Sequence, residues 1–173
     1  MAKKQWYDWL FILMFLFFGF VAWFYEPMFF FGFSGCDWGN ISQGLQGPCG
    51  QHWVGRAFVG YTEVEPLYKN APVFLQLINE FDVFLFGPFY AISLFAFFTN
   101  QHTSGWYRAV GTFFCGMLLY AMIFYFSWEF LTYRETGANM MQVVLINGPW
   151  ALGKILLLMR LYLPDDVRTR AWA

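Results

Sequence analysis

The chain has 173 residues, of which 59% are hydrophobic, 25% aromatic and 12% charged, with a formal net charge of −1. Ten Lys and Arg against eleven Asp and Glu give no concentrated positive field, which excludes a nucleic-acid surface. Twenty-four Phe and four long apolar stretches place the chain in hydrocarbon instead.

The first stretch, residues 9–25, carries no charge and predicts a helix over about 9–26. It is followed by Glu26-Pro27-Met28 and an aromatic run rather than a small-residue cleavage site, which argues against a removed signal peptide. A long loop over about 27–71 comes next, with Cys36 and Cys49 in Gly-rich surroundings. In an oxidising compartment two such cysteines form a structural disulfide. A thiol oxidase would need a second cysteine pair, and only Cys115 remains, at a packing position inside the third stretch.

The second stretch, about 72–98, is interrupted by Glu80 and Asp82 and carries Gly87-Pro88, which predicts a kink. The third, about 108–129, is apolar as far as Glu129. The fourth, about 140–163, contains Lys154 and Arg160. Asn147, Trp150 and Lys154 stand at i, i+3 and i+7, so one helix face presents an amide, an indole and an ammonium. A charge at bilayer depth is costly and faces a partner or a cavity. Asp82 lies about ten residues, roughly 15 Å, from one membrane face, and Lys154 reaches the same layer from the other. An Asp82–Lys154 ion pair is the expectation. Met122, Tyr125 and Glu129 share a face in the same way, which admits two readings: a cavity mouth, or Glu129, like Glu26, as a boundary residue at its helix end. Conduction through a Glu80/Asp82/Lys154 layer would need a relay of further ionisable groups. His52 and His102 both lie in loops, and neither metal-ligand spacing nor a cofactor motif is present.

The fold expected is an all-α, polytopic membrane four-helix bundle. Lys3, Lys4, Arg108, Arg160, Arg168 and Arg170 gather on one side against Arg56, Lys69 and Arg134 on the other. This predicts cytoplasmic termini and a long exported first loop. The end of the chain, residues 169–173, carries no retention signal, which favours a bacterial inner membrane over the endoplasmic reticulum.

Short spaced motifs over about 150 residues resemble the EXPERA-domain family, which includes the emopamil-binding sterol isomerases and sigma-2-receptor-like proteins. Asp8-Trp9-Leu10 with Glu26 seventeen residues after the Trp, and Tyr61, Glu65-Pro66-Leu67, Pro72, Asp82 and Pro88, are similar to the receptor branch. Tyr120, Tyr125-Phe126, Glu129 and Asn147-Gly148-Pro149-Trp150 are similar to the isomerase branch. The resemblance implies a cavity opening to lipid, with Glu26 and Asp82 as paired acids and Asn147 and Trp150 on the opposite wall. It implies ligand-binding roles for Glu26, Asp82, Tyr125, Glu129, Asn147, Trp150 and Lys154. Glu26, Asp82 and Glu129 would be the catalytic candidates, and a sterol- or isoprenoid-like lipid the partner. The chain differs from the isomerases in having no His between Trp9 and Pro27 and in having Lys154 where they have Pro. A cation there would cancel the acid charge that attracts amines and carbocations. Two functions stand open: a lipid-binding or sterol-isomerase-like membrane protein, and a non-catalytic accessory subunit packed against other membrane protein subunits. A ligand site predicts a cavity reaching Asp82 from the lipid with Trp150 on its wall; a subunit predicts Asp82 and Lys154 closing on each other and aromatic faces covered by protein.

Overall fold

A computed structural model of the chain describes residues 5–163. Lys3, Lys4, Arg168 and Arg170, which entered the orientation argument, and residues 169–173 lie outside the described residues. Four helices are long and apolar enough to cross a membrane: α1, Trp6–Phe30; α3, Val73–Phe98; α4, Gly105–Thr136; and α5, Met140–Tyr162. A shorter helix, α2, Trp53–Val64, lies between the first two spans.

The helix ends follow local chemistry. The Gln5 backbone N–H donates to Asp8 Oδ2 at 2.8 Å, fixing the first turn of α1. Ser104 accepts from the Tyr107 N–H at the start of α4, and Asn139 accepts from the Gln142 N–H at the start of α5. Between them Gly137, at φ 77°, ends α4 in the left-handed conformation that glycine adopts without strain. These signals extend α4 about one turn before its expected start and about two turns past its expected end.

Two spans contain a π-helical turn, over Val21–Tyr25 in α1 and Asp82–Phe86 in α3. The second directly precedes Gly87-Pro88. Pro88 lacks an N–H, and the wider turn accommodates it, so the kink expected there takes the form of a π-bulge. Glu26 follows the first π turn and Asp82 opens the second.

The bundle is built from two helix pairs, α1 with the second half of α3, and α4 with α5. Phe11, Phe15, Phe18, Phe89, Tyr90 and Phe97 fill the first pair and meet Leu118, Leu157 and Leu161 of the second. In a bilayer this association rests on close packing rather than release of water. Gly153 lets α5 approach α1, since a Cβ there would stand 2.7 Å from Met14 Sδ.

The segment between α1 and α3 is folded. A disulfide joins Cys36 and Cys49. Phe29, Ile41, Val54, Phe58 and Val59 pack around it. In α2, buried Val54, Gly55, Phe58, Val59 and Thr62 recur at helical spacing, so the helix lays one face on the end of the bundle as a lid. His52 caps it, accepting from the Val54 N–H at 3.2 Å.

Candidate functional site

Where the helix pairs diverge beneath the lid they leave a cavity of about 910 Å³. Its walls are mainly apolar, and its polar groups come from α1, α2, α3, α4 and α5. Leu77 and Phe81 of α3, and Tyr120 and Phe124 of α4, line it while being exposed on the outside of the bundle. The cavity therefore opens sideways between α3 and α4, toward the lipid that would surround these spans.

Glu26, Asp82, Tyr125, Asn147 and Trp150 all line this space. The Glu26 and Asp82 carboxyls lie within hydrogen-bonding reach of each other, one beside each π turn. Asp82 also accepts from the Tyr90 hydroxyl at 2.8 Å. A hydrogen bond between two carboxyls has a donor only when one of them holds a proton. On the opposite wall Trp150 stacks on Phe18 with ring centroids 4.0 Å apart.

Lys154 is fully buried one turn beyond Trp150 but does not line the cavity. The direct ion pair expected with Asp82 is absent from the described residues. The Lys154 Nζ has no hydrogen-bond acceptor and lies over the rings of Phe18 and Tyr90, 4.4 and 4.6 Å from their centroids. Tyr90 thus stands between the two, its ring toward the ammonium and its hydroxyl on the carboxylate. The physical reason is reach: equal depth brought the two residues to one layer, and an aromatic ring occupied the space between.

A second acidic pair lies behind the lid-side wall. Glu65 follows α2, and Glu129 projects from α4; both are fully buried and their carboxyls are within hydrogen-bonding reach. Glu65 Oε2 accepts a very short bond from the Tyr61 hydroxyl and a 3.2 Å bond from Asn147 Nδ2. Asn147 Nδ2 also reaches the hydroxyls of Tyr61 and Tyr125, at 2.9 and 3.1 Å. Burial raises the Glu65 carboxyl above the ordinary range, while hydrogen bonds from Tyr125, Tyr61, Glu129 and Asn147 act in the opposite direction. Burial also pushes the Tyr61 and Tyr68 hydroxyls well up, so both remain neutral donors. Of this cluster Tyr61, Tyr68, Tyr125 and Asn147 face the cavity; Glu65 and Glu129 stand behind them.

Glu65 and Tyr61 were not among the site residues expected from the sequence, although both belong to the motif that suggested the family. Glu80 is half-buried and lies outside the cavity wall. At the far end of the bundle Arg160 Nε donates to Asp8 Oδ1 at 2.7 Å, and His102 lies 2.6 Å from the same guanidinium. Those three buried groups tie α1, the α3–α4 connection and α5 together.

Comparison with family models, with curated proteins and with solved structures finds no match for this chain. What the fold defines is a class: an all-α chain with four membrane-spanning helices and a side-opening cavity between two helix pairs.

Proposed function

We propose that this is an integral membrane protein whose intramembrane cavity binds a sterol- or isoprenoid-like lipid. The observation that carries the reading is the cavity itself. It is large enough for a ligand of lipid or drug size, it is walled by apolar side chains, and it opens toward the bilayer. Its polar groups, among them the Glu26/Asp82 pair and the Tyr61/Tyr125/Asn147 wall, are few against the apolar lining, which suits a mostly apolar molecule with little polar surface. The EXPERA resemblance is proposed on the same ground, since the residues it pairs, Glu26 with Asp82 and Asn147 with Trp150, meet around one space. The reading as an accessory subunit draws on the Phe-rich outer surface and the disulfide-stapled loop as well as on Asp82 and Lys154 closing on each other; of these, the last is not met, since Tyr90 stands between the two.

Isomerisation of an alkene needs one group that gives a proton and one that takes it. The Glu26/Asp82 pair supplies both roles in principle, so the same preparation should be assayed for double-bond migration in an added sterol.

Purification in a gentle detergent followed by mass spectrometry of the accompanying lipid tests the proposal. A stoichiometric sterol- or polyisoprenoid-like lipid, lost on Trp150→Ala or Asp82→Ala in protein that remains folded, is the expected result. Stoichiometric protein partners, no bound lipid and indifference to both substitutions would overturn it in favour of a structural subunit.

A further inference from the structure

Resting on the binding reading, we propose that Lys154 sets the specificity of the cavity. It offsets the charge of the Glu26/Asp82 pair from behind, so that the cavity takes an uncharged, hydroxyl-bearing lipid and rejects cationic amphiphiles.

Two acids on the wall of an apolar cavity would ordinarily favour a cationic ligand, because an unbalanced carboxylate in low dielectric attracts whatever cation can reach it. Here a cation is already built in. The Lys154 ammonium sits within a cage of four rings, 4.4 Å from the Phe18 centroid, 4.6 Å from Tyr90, 5.8 Å from Phe15 and 5.9 Å from Phe89. The faces of such rings attract an ammonium. The Tyr90 ring that contacts the ammonium carries the hydroxyl that donates to Asp82. The Asp82 carboxyl and the Lys154 amino group, groups of opposite charge, thus face each other across one ring. Arg160, the other buried cation among the described residues, is bound to Asp8 at the far end of the bundle.

The lid-side wall leads to the same chemistry. The Glu65 and Glu129 carboxyls stand behind Tyr61, Tyr125 and Asn147, so the surface offered to a ligand is hydroxyl and amide. Asn147, Trp150 and Lys154 rise through about 10 Å along α5 at 1.5 Å per residue. The neutral polar wall and the offset acid pair are therefore separated by one indole-lined apolar layer. Lys154 touches no ligand in this arrangement; it is a positioning residue that acts through Tyr90 and Asp82.

The test uses the full chain in lipid nanodiscs, with cholesterol, 3β-aminocholestane and cholesterol sulfate as neutral, cationic and anionic probes of one shape. The unaltered protein is expected to bind cholesterol about tenfold or more tightly than the amine. Lys154→Met should reverse that order, and Lys154→Arg should keep it. Asp82→Asn leaves the ammonium without its counter-charge and should raise affinity for the sulfate about tenfold, giving an independent readout should Lys154→Met fail to fold. Cholesterol binding with an unchanged ranking of the probes in Lys154→Met and Asp82→Asn would overturn the role of Lys154 alone. Failure of all three probes to bind any form would overturn the binding reading beneath it.

Discussion

Tyr90 donates its hydroxyl to Asp82 at 2.8 Å from the second half of the same helix, across the π turn that separates them. The bond spans the irregular part of α3 and fixes where the carboxylate points. Removing the hydroxyl with Tyr90→Phe keeps the ring under Lys154 but takes a donor from a charged acceptor. A hydrogen bond to a charged group contributes about 1.5–3 kcal/mol. Tyr90→Phe should therefore lower thermal stability in detergent by an amount in that range, with little change in Phe18→Leu, which leaves the hydroxyl in place, beyond its packing loss. Equal stability of Tyr90→Phe and the unaltered protein would show that Asp82 is held by other groups.

The Asp8–Arg160 pair should matter for folding rather than for binding. Both groups are buried and bonded at 2.7 Å. Removing one partner of a buried ion pair costs about 3–5 kcal/mol. Asp8→Ala should give a strongly destabilised chain that, where it folds, retains its lipid. Denaturation monitored by tryptophan fluorescence, together with lipid analysis of the folded fraction, checks both halves of this expectation.

The four spans were legible in the sequence because each is a long apolar run, and a bilayer leaves few alternatives for such runs. The burial of Lys154 was legible for a related reason, since it stands about nine residues, roughly 14 Å, from the nearer helix end. Its partner was not. Depth along a helix says which layer a side chain occupies but not which ring stands between two charges. Arg160 was read as a topological charge near a helix end, and only the fold shows that it turns inward to Asp8. The α2 lid was within reach of the sequence: Val54, Phe58, Val59 and Thr62 have helical spacing, but attention to the cysteines treated the whole segment as loop. Glu65 was quoted in a motif without being given a role, because its pairing with Glu129 joins residues 64 positions apart in sequence and is set by how the lid docks.

The Cys36–Cys49 bond gives a direct test of orientation. If the lid is exported, as the distribution of Lys and Arg predicts, both thiols are oxidised in intact membranes. Denaturation in maleimide without reductant should then label one cysteine, Cys115, and prior reduction should raise that to three. Three labels without reduction would place the lid in a reducing compartment and reverse the topology. Cys36→Ser with Cys49→Ser opens a loop of 13 residues in sequence and should cost about 3 kcal/mol, concentrated in the lid.

Stability should depend on pH through Glu65. Its carboxyl is raised above the ordinary value of 4.5 by burial, so the folded chain binds this proton more tightly than the unfolded chain does. The contribution is full below that ordinary value and is lost as pH rises through the raised folded value. Melting temperature should therefore fall as pH rises above that ordinary value, and Glu65→Gln should make the slope shallower. An identical slope in both forms would remove Glu65 from the pH response.

Whether a lipid occupies the space between the two helix pairs is tested most directly by photo-crosslinking with a diazirine sterol in native membranes. Peptide mapping should place adducts on the cavity wall, at Ile78, Met122 and Trp150, with loss of labelling when unlabelled sterol is added in excess. Adducts confined to the outward-facing Phe113, Leu131 and Leu145, and insensitive to competitor, would contradict it.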